Sequence, residues 1–111
     1  MTDGNGRGAV VNGPDLFGDH DYRPYVRLSD ETHPFSTEEA LYAAVTSTQR
    51  EAAIQLTVAD FSTGEFPRES YVNPWTIVSI RHADMGEQQG RLVEATLDTI
   101  ARAATRYLGV C

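Results

Sequence analysis

Arg23 and Thr46 are the residues of this chain best suited to phosphate chemistry. Each stands on a short apolar segment: Tyr22-Arg23-Pro24-Tyr25-Val26-Arg27-Leu28-Ser29 and Ala40-Leu41-Tyr42-Ala43-Ala44-Val45-Thr46-Ser47. Arginine presents a planar, permanently charged fork that matches a phosphate. Threonine presents a hydroxyl that can bond a phosphoryl oxygen. Together they suggest cleavage of RNA without a metal. That reaction needs a base for the ribose 2′-OH proton, an acid for the leaving 5′ oxygen, and donors for the charge gathering on phosphorus. In-line attack by the 2′ oxygen then leaves a 2′,3′-cyclic phosphate.

The side chains divide these tasks. Arg23 suits charge stabilisation, because a guanidinium holds its protons too tightly to serve as an ordinary base. Its plainer role is an ion pair with Asp19 or Asp21. Thr46 suits a non-bridging oxygen. His20 lies three residues before Arg23 in a polar loop, and histidine titrates where proton shuttling needs it. Ser47, Thr48 and Gln49 follow Thr46 directly and are candidates to line the same groove. Ser70 has no Gly-x-Ser-x-Gly around it, which argues against a hydrolase nucleophile. A hydrogen bond to a base or to backbone suits it better. Arg50, Arg68 and Arg81 could track phosphates. Phe66, Tyr71 and Trp75 could stack on unpaired bases, or belong to a core or subunit interface. His33 and His82 read as surface residues. No two histidines have metal-ligand spacing, so no metal is expected.

The 111 residues carry net charge −7 and no lysine, all nine basic residues being arginines. This composition fits a protein tuned to a salt-rich cytoplasm, or a GC-rich genome with an acidic surface kept for solubility. Such a chain repels a polyanion in dilute buffer. At molar salt the Debye length falls to about 3 Å, and only local charges act. The acidity disfavours duplex DNA binding by this chain alone and leaves room for a short arginine-lined site. Cys111 is the only cysteine, which excludes an intramolecular disulfide and a cysteine-rich metal site. No run approaches the roughly 20 apolar residues that span a bilayer. The polar start lacks a signal-peptide core. A cytoplasmic protein is expected.

One domain is expected over residues 7–110, after a flexible tail at 1–6. Ala9-Val10-Val11 predicts a first strand and Asn12-Gly13-Pro14-Asp15 a turn. Residues 24–29 alternate, with Val26 and Leu28 on one face and Tyr25 and Arg27 on the other. Ser36-Thr37-Glu38-Glu39 fits a helix-starting capping box, yet the alternation beyond it favours a strand. Ile54, Leu56 and Val58 alternate as a half-buried strand. Residues 60–67 read as a turn. Residues 71–80 read as extended chain with an edge or bulge at Asn73-Pro74. Val93, Leu97, Ile100, Ala101, Ala104 and Leu108 form one helical stripe, which Gly109 is placed to end. Five or six strands and one helix predict a small barrel-like sheet with a helix packed on it.

The order of these pieces resembles the MazF/PemK/Kid family of toxin endoribonucleases. The matching residues are Arg7-Gly8-Ala9-Val10, Arg23-Pro24-Tyr25-Val26-Arg27-Leu28-Ser29, Ala43-Ala44-Val45-Thr46-Ser47, Arg68-Glu69-Ser70, Ile77-Val78-Ser79-Ile80, and Gly90-Arg91-Leu92 opening the helix. The resemblance spans residues 7–109. It implies an SH3-like barrel of the MazF/Kid/CcdB type, a homodimer, cleavage of single-stranded RNA at short sequences, and neutralisation by a cognate antitoxin protein. Operator DNA would be bound only with that antitoxin. The family's catalytic Arg and Thr fall on Arg23 and Thr46. The chain departs in its shorter loop, Gly18-Asp19-His20-Asp21-Tyr22. Asn73 and Trp75 also stand where some members carry an Arg and an Asp. A non-catalytic CcdB-like protein binder, or a family member that binds nucleic acid without cutting, are the alternatives.

Overall fold

A computed structural model describes residues 6–18, 20–66 and 69–109. Residues 1–5 of the expected tail at 1–6 and the candidate Arg68 lie outside the described residues. Seven strands and one helix follow in order: β1 (Ala9–Pro14), β2 (Tyr22–Arg27), β3 (Glu39–Thr46), β4 (Ile54–Leu56), β5 (Phe61–Gly64), β6 (Ser70–Arg81), β7 (Gln88–Leu92) and α1 (Glu94–Tyr107). They form one sheet in the order β4-β6-β3-β2-β1-β7-β5, antiparallel throughout. The two outermost strands are consecutive in the chain. Leu56 and Phe61 are five residues apart, so the edges lie within about 18 Å of each other. That short link forces the sheet to curl into a half-barrel.

Opposed partners in a sheet share a face, so the pairing register sorts the side chains. Val10, Val26 and Ala43 oppose one another in turn, and Val45 opposes Val72. These residues gather with Leu56, Leu92, Leu97 and Ile100 into the main core. Helix α1 buries Leu97, Ile100, Ala103 and Ala104 against this face. Burying a leucine or isoleucine fully is worth roughly 1.5–3 kcal/mol. The helix stops at its expected place, because Gly109 takes φ +87 and donates its N–H to the Arg106 carbonyl at 2.9 Å. Leu108 departs from the stripe: it lies past the helix end and is 73% exposed. Tyr25, Ala40, Tyr42, Ala44 and Ile80 form a second cluster on the opposite face. Both faces are therefore covered around β2, and Arg27 as well as Tyr25 and Val26 is buried. Arg27 Nε donates to the Ser29 carbonyl at 2.9 Å.

Several local expectations give way. Asn12, Gly13 and Pro14 pair with Pro24, Arg23 and Tyr22 as strand rather than turn. Pro14 is tolerated because β7 reaches only Val11 on the other side of β1, so no ladder bond needs its missing N–H. Gly13 leaves room for Met85: a Cβ there would stand 2.8 Å from the Met85 sulfur, so that flexible side chain, which packs on the second cluster, would have to shift. Residues 61–64 form β5 rather than a turn, and Gly90-Arg91-Leu92 belong to β7 rather than the helix. Residues 36–38 are turns, and Glu39 begins a strand. His82 and His33 are half-buried rather than surface residues. His82 Nε2 lies 2.7 Å from the Ser36 carbonyl, and His33 Nδ1 accepts the Phe35 N–H at 2.9 Å. The bulge is where Asn73-Pro74 suggested. Ala44 opposes Asn73 while Ala43 opposes Ile77, so Pro74, Trp75 and Thr76 are extra.

Candidate functional site

The loop after β1 is built around one carboxylate. Asp15 has a side chain with 0% exposure. Its Oδ1 accepts the Phe17 N–H at 2.9 Å and Arg23 Nε at 3.1 Å, and its Oδ2 accepts the His20 N–H at 2.9 Å. The Tyr25 hydroxyl closes the base of the loop by donating to the Pro14 carbonyl at 2.6 Å. An aspartate suits this turn because its short side chain reaches backbone N–H groups two residues on. Sequence reading paired Arg23 with Asp19 or Asp21. Its described partner is Asp15, which looked like a turn residue and carried no other signal.

Burial pushes the Asp15 carboxyl up, but the Phe17 and His20 amides and the Arg23 charge outweigh it and hold the carboxyl below its ordinary value. A lowered carboxylate pKa adds stability that is present above the unfolded value and is lost as pH falls through the folded one. The loop should therefore stay assembled above about pH 4 and loosen below it. Thermal melts of the parent and Asp15→Asn between pH 7 and pH 3 test this. The parent should lose more stability than the variant over the acid end of that range. Parallel losses would rule out the carboxylate as the anchor.

Arg23 is held on three sides. Besides Asp15, its Nη1 donates to the Val45 carbonyl at 3.3 Å, and its Cζ lies 5.1 Å from the centre of the Phe17 ring. A guanidinium over an aromatic face gains cation–π attraction. Nη2 has no partner among the described residues. The Val45 contact sets the guanidinium beside Thr46, the next residue on β3. Tyr25 opposes Ala44, and that register continued by two residues sets Arg23 across from Thr46. The Thr46 Oγ1 accepts the Thr48 N–H at 3.1 Å. Its own proton is not donated to any described residue and is free for a ligand.

These groups line a cleft of about 670 Å³, whose wall includes Ala44 of the cluster on the face away from the helix. Arg23, Thr46, His20, Ser47, Thr48 and Ser70 all border it, with Arg50, Phe17, Tyr22, Phe66, Asn73 and Thr76. Gln49 does not. No carboxylate among the described residues lines the cleft, although the chain holds 16 acids. The stacking candidates separate: Phe66 borders the cleft, but Tyr71 is buried with its hydroxyl donating to Glu69 at 3.2 Å. Trp75 packs edge-on against Tyr107, with centroids 5.9 Å apart. The exposed aromatics at the cleft are instead Phe17 and Tyr22. Among the described residues, no helix is long and apolar enough to cross a membrane.

No protein-family model matches this chain, and no curated protein sequence does. Solved structures do. An endoribonuclease from a mycobacterial species superposes with TM-score 0.77 at 22% identity, over 99% of this chain and 96% of that one. An endoribonuclease in complex with its cognate antitoxin, also mycobacterial, gives TM-score 0.72 at 21% identity, over 95% and 93%. The Mycobacterium tuberculosis toxin MazF-mt6 gives 0.73 at 19%, over 95% and 99%. The curled seven-stranded antiparallel sheet with its single C-terminal helix is the fold of the MazF toxins.

Proposed function

We propose that this chain is a toxin-like, metal-independent endoribonuclease that cuts single-stranded RNA at short sequences. One observation carries the reading: Arg23 and Thr46, from adjacent strands, open together on a cleft without a described carboxylate in a strongly acidic chain. Arg23 arrives pre-oriented by Asp15, Phe17 and the Val45 carbonyl, with Nη2 left to bond a phosphoryl oxygen. Donors fixed before reaction stabilise developing charge without reorganisation. Thr46 supplies a second donor to the same phosphate. The 2′ oxygen attacks phosphorus, its proton passes to a base, and the 5′ oxygen leaves with a proton from an acid. His20, at the cleft rim and held through its backbone by Asp15, is the group for proton transfer. Ser47, Thr48 and Ser70 line the path of the strand. Gln49 remains a candidate for a contact outside the cleft, and Arg68 remains a candidate from the sequence alone.

On this reading the chain works in the cytoplasm as a homodimer and is held in check by a cognate antitoxin protein. The solved complex with an antitoxin supports such a partner. The test is incubation of a long single-stranded RNA with purified protein in EDTA, at low and at molar salt. Discrete cuts ending in 2′,3′-cyclic phosphate are expected. Intact RNA at both salts, from folded protein, would move the chain to a binding role of the CcdB kind or to nucleic-acid binding without cutting.

A further inference from the structure

Asn73 is the one place where the described protein leaves a buried polar side-chain atom unpaired. Its Oδ1 is shielded from solvent and has no hydrogen-bond partner. Its residue as a whole is only half-buried and borders the cleft. Proteins rarely leave such an acceptor empty, and each exception calls for a reason. The local geometry supplies one. β4 pairs with β6 only as far as Val72, and the bulge at residues 74–76 follows at once. Asn73 sits between the end of one strand partner and the start of the bulge, so no neighbouring strand supplies a donor. On the other side it faces Ala44, whose methyl group has nothing to give. Asn73 shares its face with Thr46, a diagonal neighbour about 7–8 Å away.

We infer that Asn73 reads one unpaired base of the RNA beside the scissile phosphate, an inference that rests on the proposed function. A primary amide carries one acceptor and a two-hydrogen donor side by side. The edge of a nucleobase presents the complementary pair, which a single amide engages in two-point fashion. The χ2 torsion of asparagine is soft, so a modest turn brings Oδ1 from its shielded position to the incoming base. Ala44 opposite keeps the approach clear, and Ser70 and Thr76 line the same cleft. Arg23 and Thr46 hold the phosphate, and Asn73 sorts the base attached to it.

The test uses the parent, Asn73→Ala and Asn73→Ser on two pools of random sequence. One pool is RNA, whose cut ends are sequenced. The other is 2′-O-methyl RNA, which cannot be cut and reports binding preference. The parent should favour particular bases at one position beside the cut. Both variants should relax that position alone and lose about 5- to 100-fold in kcat/KM on the best site. Their melting temperatures should match or exceed the parent's, since the removed oxygen had no partner. An unchanged base profile at every position would overturn the inference, as would a uniform loss of cutting together with a lowered melting temperature. If the parent binds the uncuttable pool with a base preference but cuts nothing, the nuclease reading fails. The Asn73 role then stands or falls on the binding profile alone. No binding and no cutting would sink both.

Discussion

Arg23→Ala protein should fold and cut single-stranded RNA about 10²–10³ times more slowly than the parent in single-turnover assays. The loss should fall on the chemical step, because the charge on phosphorus grows only as the 2′ oxygen attacks. Arg23→Lys separates charge from geometry. A lysine keeps the positive charge but lacks the planar fork. It cannot hold Asp15 through one nitrogen and the Val45 carbonyl through another while offering a third to phosphate. Most of the rate should therefore be lost in the lysine variant too. Circular dichroism and a melt accompany the kinetics, since Asp15 keeps its two amide donors when Arg23 is gone. Folded Arg23→Ala cutting within threefold of the parent would remove Arg23 from the centre of the mechanism.

Leu97→Ala should have the largest effect on stability. Leu97 is 2% exposed and lies in the main core with Val10, Val26 and Ile100. Truncating a leucine there removes its transfer free energy and opens a cavity, about 2–5 kcal/mol together. For a domain of this size that lowers the melting temperature by on the order of 10 °C or more. Among the described residues, none from the helix lines the cleft. Below its melting range the variant should therefore cut RNA at the parent's rate per folded molecule. A rate that fell with the mutation at temperatures where the protein is fully folded would tie helix packing to the cleft.

The nearness of Arg23 and Thr46 was more legible in the sequence than the surroundings of the candidate site. Arg23 and Thr46 drew notice as residue types at the ends of apolar runs, and the antiparallel register brings those two ends together. His20, Ser47 and Thr48 followed by adjacency. Asp15 was illegible because its work depends on a loop folding back on β2, and a turn aspartate looks the same in any sequence. Gly13 and Pro14 misled for a related reason. Their turn character is a statistical preference, and here pairing with β2 overrides it. Residues 61–64 read as Ser-Thr-Gly turn chemistry, yet they pair with β7, a partner almost thirty residues away. In the sequence Asn73 stands out only as a position where some MazF/PemK/Kid members carry a charged residue. Its unpaired oxygen is a property of the bulge and of where β4 stops, neither of which local composition can state.

The placing of β1 governs when this fold can exist. β1 lies between β2 and β7, and β7 comes just before the last helix. A chain emerging from a ribosome has made every described cleft residue by position 76, yet β1 still lacks its second neighbour. Pairing of the first strand with the last is a contact of long sequence separation, which slows folding and delays it until the partner is available. The Asp60 carboxylate then ties the two late events together. It accepts the Thr57 N–H at 2.7 Å from the link between the sheet's edges and the Thr96 hydroxyl at 2.7 Å from the first turns of the helix. Sheet closure and helix docking thereby become one cooperative step. A nascent chain holds the residues of the cleft without its shape, and the cleft comes into being only once β7 and the helix have been made.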